Sequence, residues 1–248
     1  MDKSSIGNRM KRYESVPKIA LTRRTPVIIR LDGKAFHTFT RGFDKPFDNA
    51  MMYAMQHTMG YLCENIQGCV LGYTQSDEIT LVLCDYQTLT TDAWYDYEVQ
   101  KMCSISAAMA TFAFRMSFEY YMKNIMAGDY NQNFYQKKLD NGVFFDSRCF
   151  NVPKEEVNNC LLWRQQDVTR NSIQGLAQSL FSHKELQGLS CNMLQDKMFT
   201  EKGINWNDLP TYQKRGSCCV KIDGVWTIDT DIPVFSQDTD YVNSRITF

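Results

Sequence analysis

The run Pro26-Val27-Ile28-Ile29-Arg30-Leu31-Asp32-Gly33 is apolar and β-branched until it ends in an acidic residue and a glycine. Branched side chains suit a pleated surface, and a near-continuous apolar run is how a strand buried on both faces reads, so this stretch predicts a strand that delivers a carboxylate to a sheet edge. Further on, Gln75-Ser76-Asp77-Glu78 separates two more apolar runs, Cys69-Val70-Leu71-Gly72-Tyr73 and Ile79-Thr80-Leu81-Val82-Leu83. Their length and polar joint predict a hairpin. Two strand ends can therefore present Asp32 and Asp77 to one cation.

The segments between fix how these ends are arranged. Residues 33–48 are aromatic and basic, punctuated by Gly42 and Pro46, and read as a loop with a brief helical turn. From Asp48, an acidic cap, Met51, Met52, Met55, Met59 and Leu62 recur at helical spacing. A second helix is predicted from about Tyr95 to Asn124, with Val99, Met102, Ile105, Met109, Phe112 and Met116 as its core stripe and Gly128 as its end. After a polar loop, residues 142–150 predict a fourth strand. The order over residues 26–152 is β-α-β-β-α-β, the split or ferredoxin-like unit, which sets the end of the first strand and the hairpin turn at one rim. The polymerase palm and the nucleotidyl cyclases share this arrangement, an analogy that favours metal-dependent phosphoryl chemistry.

The fold class is thus α+β: a polymerase-palm, ferredoxin-like core with added C-terminal helices and a β-hairpin. Residues 1–152 are read as the palm-like catalytic core with its N-terminal flank. Residues 153–248 are read as helices (153–181 and 184–200), a turn (205–210) and a hairpin around Asp223-Gly224, packed on that core. Residues 4–24, with Arg9, Lys11, Arg12, Lys18, Arg23 and Arg24, read either as a solvated leader helix or as a phosphate-binding flank.

A net charge of -1 gives no global basic field, so any polyanion must be held by a local patch. Nine cysteines without a Cys-x-x-Cys pair, and only three histidines, leave no zinc spacing and point to reduced, buried thiols in a cytoplasmic protein. The start lacks a signal-peptide core and no apolar run reaches the roughly 18 residues of a membrane span, so no membrane partner is expected.

Magnesium takes hard oxygen ligands and commonly only one or two protein carboxylates besides substrate phosphates. Asp32 and Asp77 suit that role, and Gly33, without a Cβ, lets backbone approach a cation or phosphate. Glu78 reads either as a further ligand or as a structural residue. Arg30, Lys34, Lys45, Arg170 and Lys197 are the cations available to phosphates. His37, His57 and His183 cluster with no nucleophile, which sets covalent catalysis aside. Taken singly, an Asp-Gly after a strand and a Ser-Asp-Glu between strands are ordinary turn chemistry; the topology that joins them gives them weight.

The stretches Arg30-Leu31-Asp32-Gly33-Lys34-Ala35-Phe36-His37, Phe43-Asp44-Lys45-Pro46-Phe47-Asp48 and Gly72-Tyr73-Thr74-Gln75-Ser76-Asp77-Glu78 resemble the tRNA(His) guanylyltransferase family of 3′-to-5′ nucleotide polymerases. The likeness continues through Trp163-Arg164-Gln165-Gln166-Asp167, Asp196-Lys197 and Leu209-Pro210-Thr211-Tyr212-Gln213-Lys214-Arg215-Gly216, in the expected order. The resemblance implies a palm-like core with two Mg²⁺ held by Asp32, Asp77 and the Gly33 backbone oxygen. It implies a tRNA 5′-monophosphate activated by ATP, or a 5′ end that enters as a triphosphate, then attacked by the 3′-hydroxyl of GTP or another nucleoside triphosphate. Arg30, Lys34, Ala35, Phe36, His37, Lys45, Ser76 and Lys197 would contact nucleotide or phosphate, and Arg170 and Asn171 would lie toward tRNA. It further implies a homotetramer, a dimer of dimers. Where the eukaryotic enzymes carry His-Ile-Asn-Asn, this chain reads Val168-Thr169-Arg170-Asn171-Ser172, and Phe199 stands where a glutamate is expected. That departure is similar to the bacterial, archaeal and phage guanylyltransferase-like branch, which implies template-dependent repair of 5′-truncated tRNAs, with G addition to tRNA(His) as a further activity. A nucleotide cyclase on a palm fold and a non-catalytic RNA-binding module are the rival readings.

Overall fold

The computed structural model describes residues 4–126 and 131–248. Gly128, expected to end the long helix, lies outside them. In chain order the elements are α1 (Ser5–Ser15), β1 (Val27–Gly33), α2 (Phe36–Phe39), α3 (Asn49–Asn65), β2 (Cys69–Gln75), β3 (Glu78–Leu83), α4 (Val99–Asn124) and α5 (Gln132–Asp140). They continue through β4 (Phe145–Asn151), α6 (Val157–Leu180), α7 (His183–Leu186), α8 (Cys191–Lys202), α9 (Thr211–Arg215), β5 (Ser217–Ile222), β6 (Val225–Asp229) and α10 (Asp240–Asn243).

One six-stranded sheet in the order β4-β1-β3-β2-β5-β6, antiparallel throughout, organises the molecule. Its first four strands are the expected ferredoxin-like core, and the hairpin β5–β6 continues the same sheet from the free edge of β2. Because strand side chains alternate, β1 buries Val27, Ile29 and Leu31 against α3 and α4, and Ile28 on the other face against Val157 and Leu161 of α6. A third cluster joins the far half of α6 to α8 through Ile173, Leu176, Leu194 and Met198.

Local chemistry explains most element ends. Asp48 caps α3, its Oδ1 accepting the Met51 N–H at 2.9 Å, and its Oδ2 accepts the Tyr135 hydroxyl at 2.7 Å, which pins the preceding loop to α5. The β5–β6 turn is the expected tight one, with Asp223 and Gly224 at φ 50 and 83. α1 is a helix with no buried residue. Arg23 and Arg24 clamp Asp85: Arg23 Nε and the Arg24 backbone N–H donate to its two oxygens at 2.6 and 2.8 Å.

Three sequence expectations are corrected. The long helix starts at Val99, and Ile105, Phe112 and Met116 of the expected core stripe are exposed. The buried face carries Met102, Ser106, Ala110, Ala113, Phe114 and Phe118, because small residues let α4 lie close on the sheet; the Ser106 and Ser147 hydroxyls meet at 2.8 Å. The helix expected over 184–200 is broken into α7 and α8, since Gly188 takes a left-handed φ of 78 and Ser190 caps afresh by accepting the Met193 N–H. Finally, the polar loop before β4 contains α5, whose Tyr135 and Leu139 are buried. All nine cysteines are free thiols, and among the described residues no helix is long and apolar enough to cross a membrane.

Candidate active site

The site grows from the rim where β1 ends. Leu31 is buried toward α3 and α4, so Asp32 emerges on the opposite face, level with Glu78 of β3 and Asp146 of β4. Ser76 and Asp77 form the two-residue turn between β2 and β3, with Ser76 at φ 49. The Gly33 N–H donates to the Asp77 carbonyl at 3.0 Å, which ties the end of β1 to that turn. Gly33 has no room for a side chain: a Cβ there would sit 2.2 Å from Phe36 Cδ2. Ala35, in the left-handed region at φ 55, turns the chain into α2 so that Phe36 folds back on it.

This rim concentrates negative charge. The Asp32 carboxyl is held above its ordinary range, first by burial and then by Asp77 and Asp146, with Arg148 and Arg30 opposing. Asp77 is raised by burial and lowered by hydrogen bonds from its own backbone and from Ser76 and by the charge of His37. Glu78 is raised by burial and drawn back by Arg164, whose Nε donates to Glu78 Oε1 at 2.7 Å with both side chains nearly buried. Arg164 also donates to Asp167 at 3.2 Å, and Asp167 accepts Arg170 at 2.6 Å, so Glu78 and Arg170 end one chain of ion pairs. Glu78 is thereby occupied with an arginine.

Among the described residues no group of three or more histidines, cysteines and carboxylates gathers to hold an ion alone. Two neighbouring, partly buried carboxylates, both raised by burial and beside a glycine backbone, nevertheless fit magnesium, which completes its octahedron with phosphate oxygens and water.

Beside the rim opens a cleft of about 400 Å³. It collects Phe36, His37, Lys45, Ser76, Asp77 and Asn171 from the sequence-predicted set. Its walls come from the loop that Asp48 pins, from the middle of α6 and from α9, through Tyr212 and Gln213. Phe36 serves the core as well as the wall, since it is 3% exposed and packs on Phe39, Phe114 and Phe145.

Other predicted residues lie outside the cleft lining. The Lys34 ammonium rests over the Phe144 ring at 5.8 Å, and Arg30 stands on the Asp32 face with its guanidinium 5.4 Å from the Trp163 ring. Lys197 pairs with Glu201 at 2.6 Å and covers Phe181. Hydropathy gave no sign of Tyr212 and Gln213, which lie over a hundred residues from Asp77; only their place in the family-like stretch Leu209–Gly216 marked them.

A family model described as "Thg1: tRNAHis guanylyltransferase" matches residues 7–153. The structure is similar to a bacterial tRNA(His) guanylyltransferase (Thg1)-like protein in complex with ATP, at TM-score 0.87 and 43% identity, covering 98% of this chain and 100% of that one. It is similar to a bacterial Thg1-like protein in complex with GTP at TM-score 0.79 and 37% identity, with the same coverages. The tRNA(His) guanylyltransferase of Candida glabrata is 26% identical over 77% of this chain and 80% of its own. The chain belongs to the tRNA(His) guanylyltransferase family, a family of nucleotidyltransferases.

Proposed function

We propose that this enzyme is a Mg²⁺-dependent nucleotidyltransferase that extends tRNA at its 5′ end, in the 3′-to-5′ direction, and repairs 5′-truncated tRNAs by copying the opposite strand. The observation that carries the reading is Asp77 in the lining of a cleft with Ser76, Lys45 and His37, while Asp32, outside that lining, feels the Asp77 charge and is tied to the same turn through the Gly33–Asp77 hydrogen bond. The solved relatives bound to ATP and GTP support nucleoside triphosphates as its substrates. Arg170, in place of the eukaryotic histidine, supports the repair reading over strict choice of tRNA(His), to which G addition remains a second activity.

Asp32, Asp77 and the Gly33 carbonyl would hold the metal, which when bound supplies a Lewis acid for the triphosphate and lowers the pKa of the attacking hydroxyl. Lys45 and Ser76 hold phosphate oxygens in the cleft; a lysine point charge follows a triphosphate tail that changes shape during reaction. His37, whose charge already bears on Asp77, sits where it can donate to a phosphate. Asn171 approaches from α6 and orients the nucleotide against the RNA end. The rigid turn and the Gly33–Asp77 hydrogen bond keep the carboxylates in place before substrate arrives. Exposed apolar side chains on α1 (Ile6, Met10, Tyr13) and α4 (Phe112, Met116, Tyr120) support assembly into a homotetramer, and nine free thiols accord with a cytoplasmic setting.

The test offers a tRNA lacking its first nucleotide, with Mg²⁺, ATP and labelled nucleoside triphosphates. Extension by the nucleotide complementary to the opposite base, lost in Asp32→Ala and Asp77→Ala, is expected. No extension by the wild type, or undiminished extension by those variants, overturns the assignment; addition that ignores the opposite base overturns the repair reading. A cyclase would consume nucleotide without RNA.

A further inference from the structure

The Asp32 face of the sheet carries a second constellation that the cleft does not use. Trp163 stands on α6 with 51% of its surface exposed, so it adds little to the core. Its ring lies 5.4 Å from the Arg30 guanidinium and 4.6 Å from that of Arg164. The two arginines differ in how they are held. Arg164 is fixed by Glu78 and Asp167, whereas the Arg30 guanidinium has no hydrogen-bond acceptor among the described residues: Arg148 of β4 stands opposite it, and Asp32 and Glu78 act on it through their charge without accepting from it. An indole braced by one immobile guanidinium, next to another lacking an acceptor, is a surface suited to a flat aromatic ring that carries a phosphate.

Its distance from the reaction centre sets what that ring belongs to. Arg30 and Asp32 are successive side chains on one face of β1, so their rungs are about 6.6 Å apart. A 5′-phosphate placed at Asp32 thus has its own nucleoside within reach of Trp163. The cleft with Ser76, Lys45 and Asn171 opens beside Asp77 and leaves this face free for the other reactant.

We infer that Trp163 is a stacking platform for the 5′-terminal base of the RNA substrate, with Arg30 on its phosphate. The inference rests on the proposed tRNA-extending function. Stacking on an aromatic ring tolerates every base, which is what an enzyme acting on varied 5′ ends requires.

Binding without turnover tests it apart from that function. Wild type, Trp163→Ala and Trp163→Phe are titrated with a 5′-phosphorylated acceptor-stem RNA duplex and with the same duplex made abasic at its 5′-terminal nucleotide. Trp163→Ala should weaken binding of the intact duplex about 5- to 100-fold. It should leave the abasic duplex unaffected, and Trp163→Phe should restore most of the loss. In extension assays the KM for RNA should rise by a similar factor while the KM for the nucleoside triphosphate stays constant. Equal binding by wild type and Trp163→Ala, equal losses on both duplexes, or a rise confined to the nucleotide KM each overturn the platform. Absence of extension by wild type would sink the function, and the binding comparison would still decide the platform.

Discussion

Replacing Gly33 by alanine isolates the contact that locks the catalytic strand end to the loop beyond it. The φ at Gly33 is one any residue adopts, so the perturbation is steric. The new Cβ would lie 2.2, 2.4 and 2.5 Å from Phe36 Cδ2, Cγ and Cε2, against about 3.5–4.0 Å for carbon atoms in contact. Phe36 cannot yield freely, because Phe39, Phe114 and Phe145 surround it at 5.2, 5.5 and 5.2 Å between ring centroids. Overpacking of this kind costs about 1–3 kcal/mol, or about 2–12 °C in melting temperature for a chain of this size. Phe36→Ala alone should cost about 3–5 kcal/mol through the cavity it leaves. The double variant should be no less stable than Phe36→Ala, since the vacated volume accepts the methyl group, giving a coupling of about 1–3 kcal/mol. Urea unfolding followed by circular dichroism measures all four corners of the cycle. If Gly33→Ala costs the same with and without the Phe36 ring, the reasoning fails.

Other consequences can be measured directly. Asp32→Asn and Asp77→Asn should each lower nucleotide addition about 10²- to 10³-fold while melting temperature holds or rises, as neutralising a crowded, buried carboxylate removes repulsion. Both carboxyls are raised on folding from an ordinary value of 3.8, so the folded state binds protons more tightly and their contribution to stability is lost as pH rises through the folded values. Wild type should therefore lose more stability than Asp32→Asn/Asp77→Asn in calorimetry as pH rises above the ordinary carboxyl value of 3.8. Magnesium at neutral pH should raise the melting temperature of the wild type and leave that double variant unmoved, whereas an equal rise in both would place the ion elsewhere. Arg164→Met should destabilise by about 3–5 kcal/mol by stranding Glu78, and Glu78→Gln should recover much of it in that background; no recovery would mean the pair is not what holds α6 to β3.

The sequence was most legible where one physical rule acted alone. The β-branched run of β1, the polar hairpin joint around Ser76-Asp77, the Asp48 cap and the Asp-Gly turn of the last hairpin follow from local propensity, and the β-α-β-β-α-β order follows from them. It misled where tertiary packing overrode hydropathy. On α4 the close approach to the sheet selects Ser106, Ala110 and Ala113, while Phe112 and Met116, larger and more apolar, face outward. The site was half legible: Asp32 and Asp77 announce themselves by position and Ser76 and Asn171 through the family likeness, but Val168, Tyr212 and Gln213 reach the cleft only because α6 and α9 fold back across the rim. No period or spacing encodes that return. Glu78 shows a third limit, since a carboxylate beside Asp77 reads equally as a ligand or as a structural residue until the buried Arg164 is seen.

The junction of β2 with β5 also bears on how the chain is made. Thr74 pairs with Ser217, and Gly216 sits so close that a Cβ there would lie 2.5 Å from the Thr74 carbonyl oxygen. The strand bearing the turn to Asp77 thus waits for a partner translated 143 residues later. At about 5–20 residues per second, its open edge is bare for roughly 7 to 30 s on the ribosome. During that interval Leu71 and its neighbours can pair with any other unpaired strand, so slower synthesis should increase aggregation of the nascent chain, and supplying residues 216–229 in trans should relieve it.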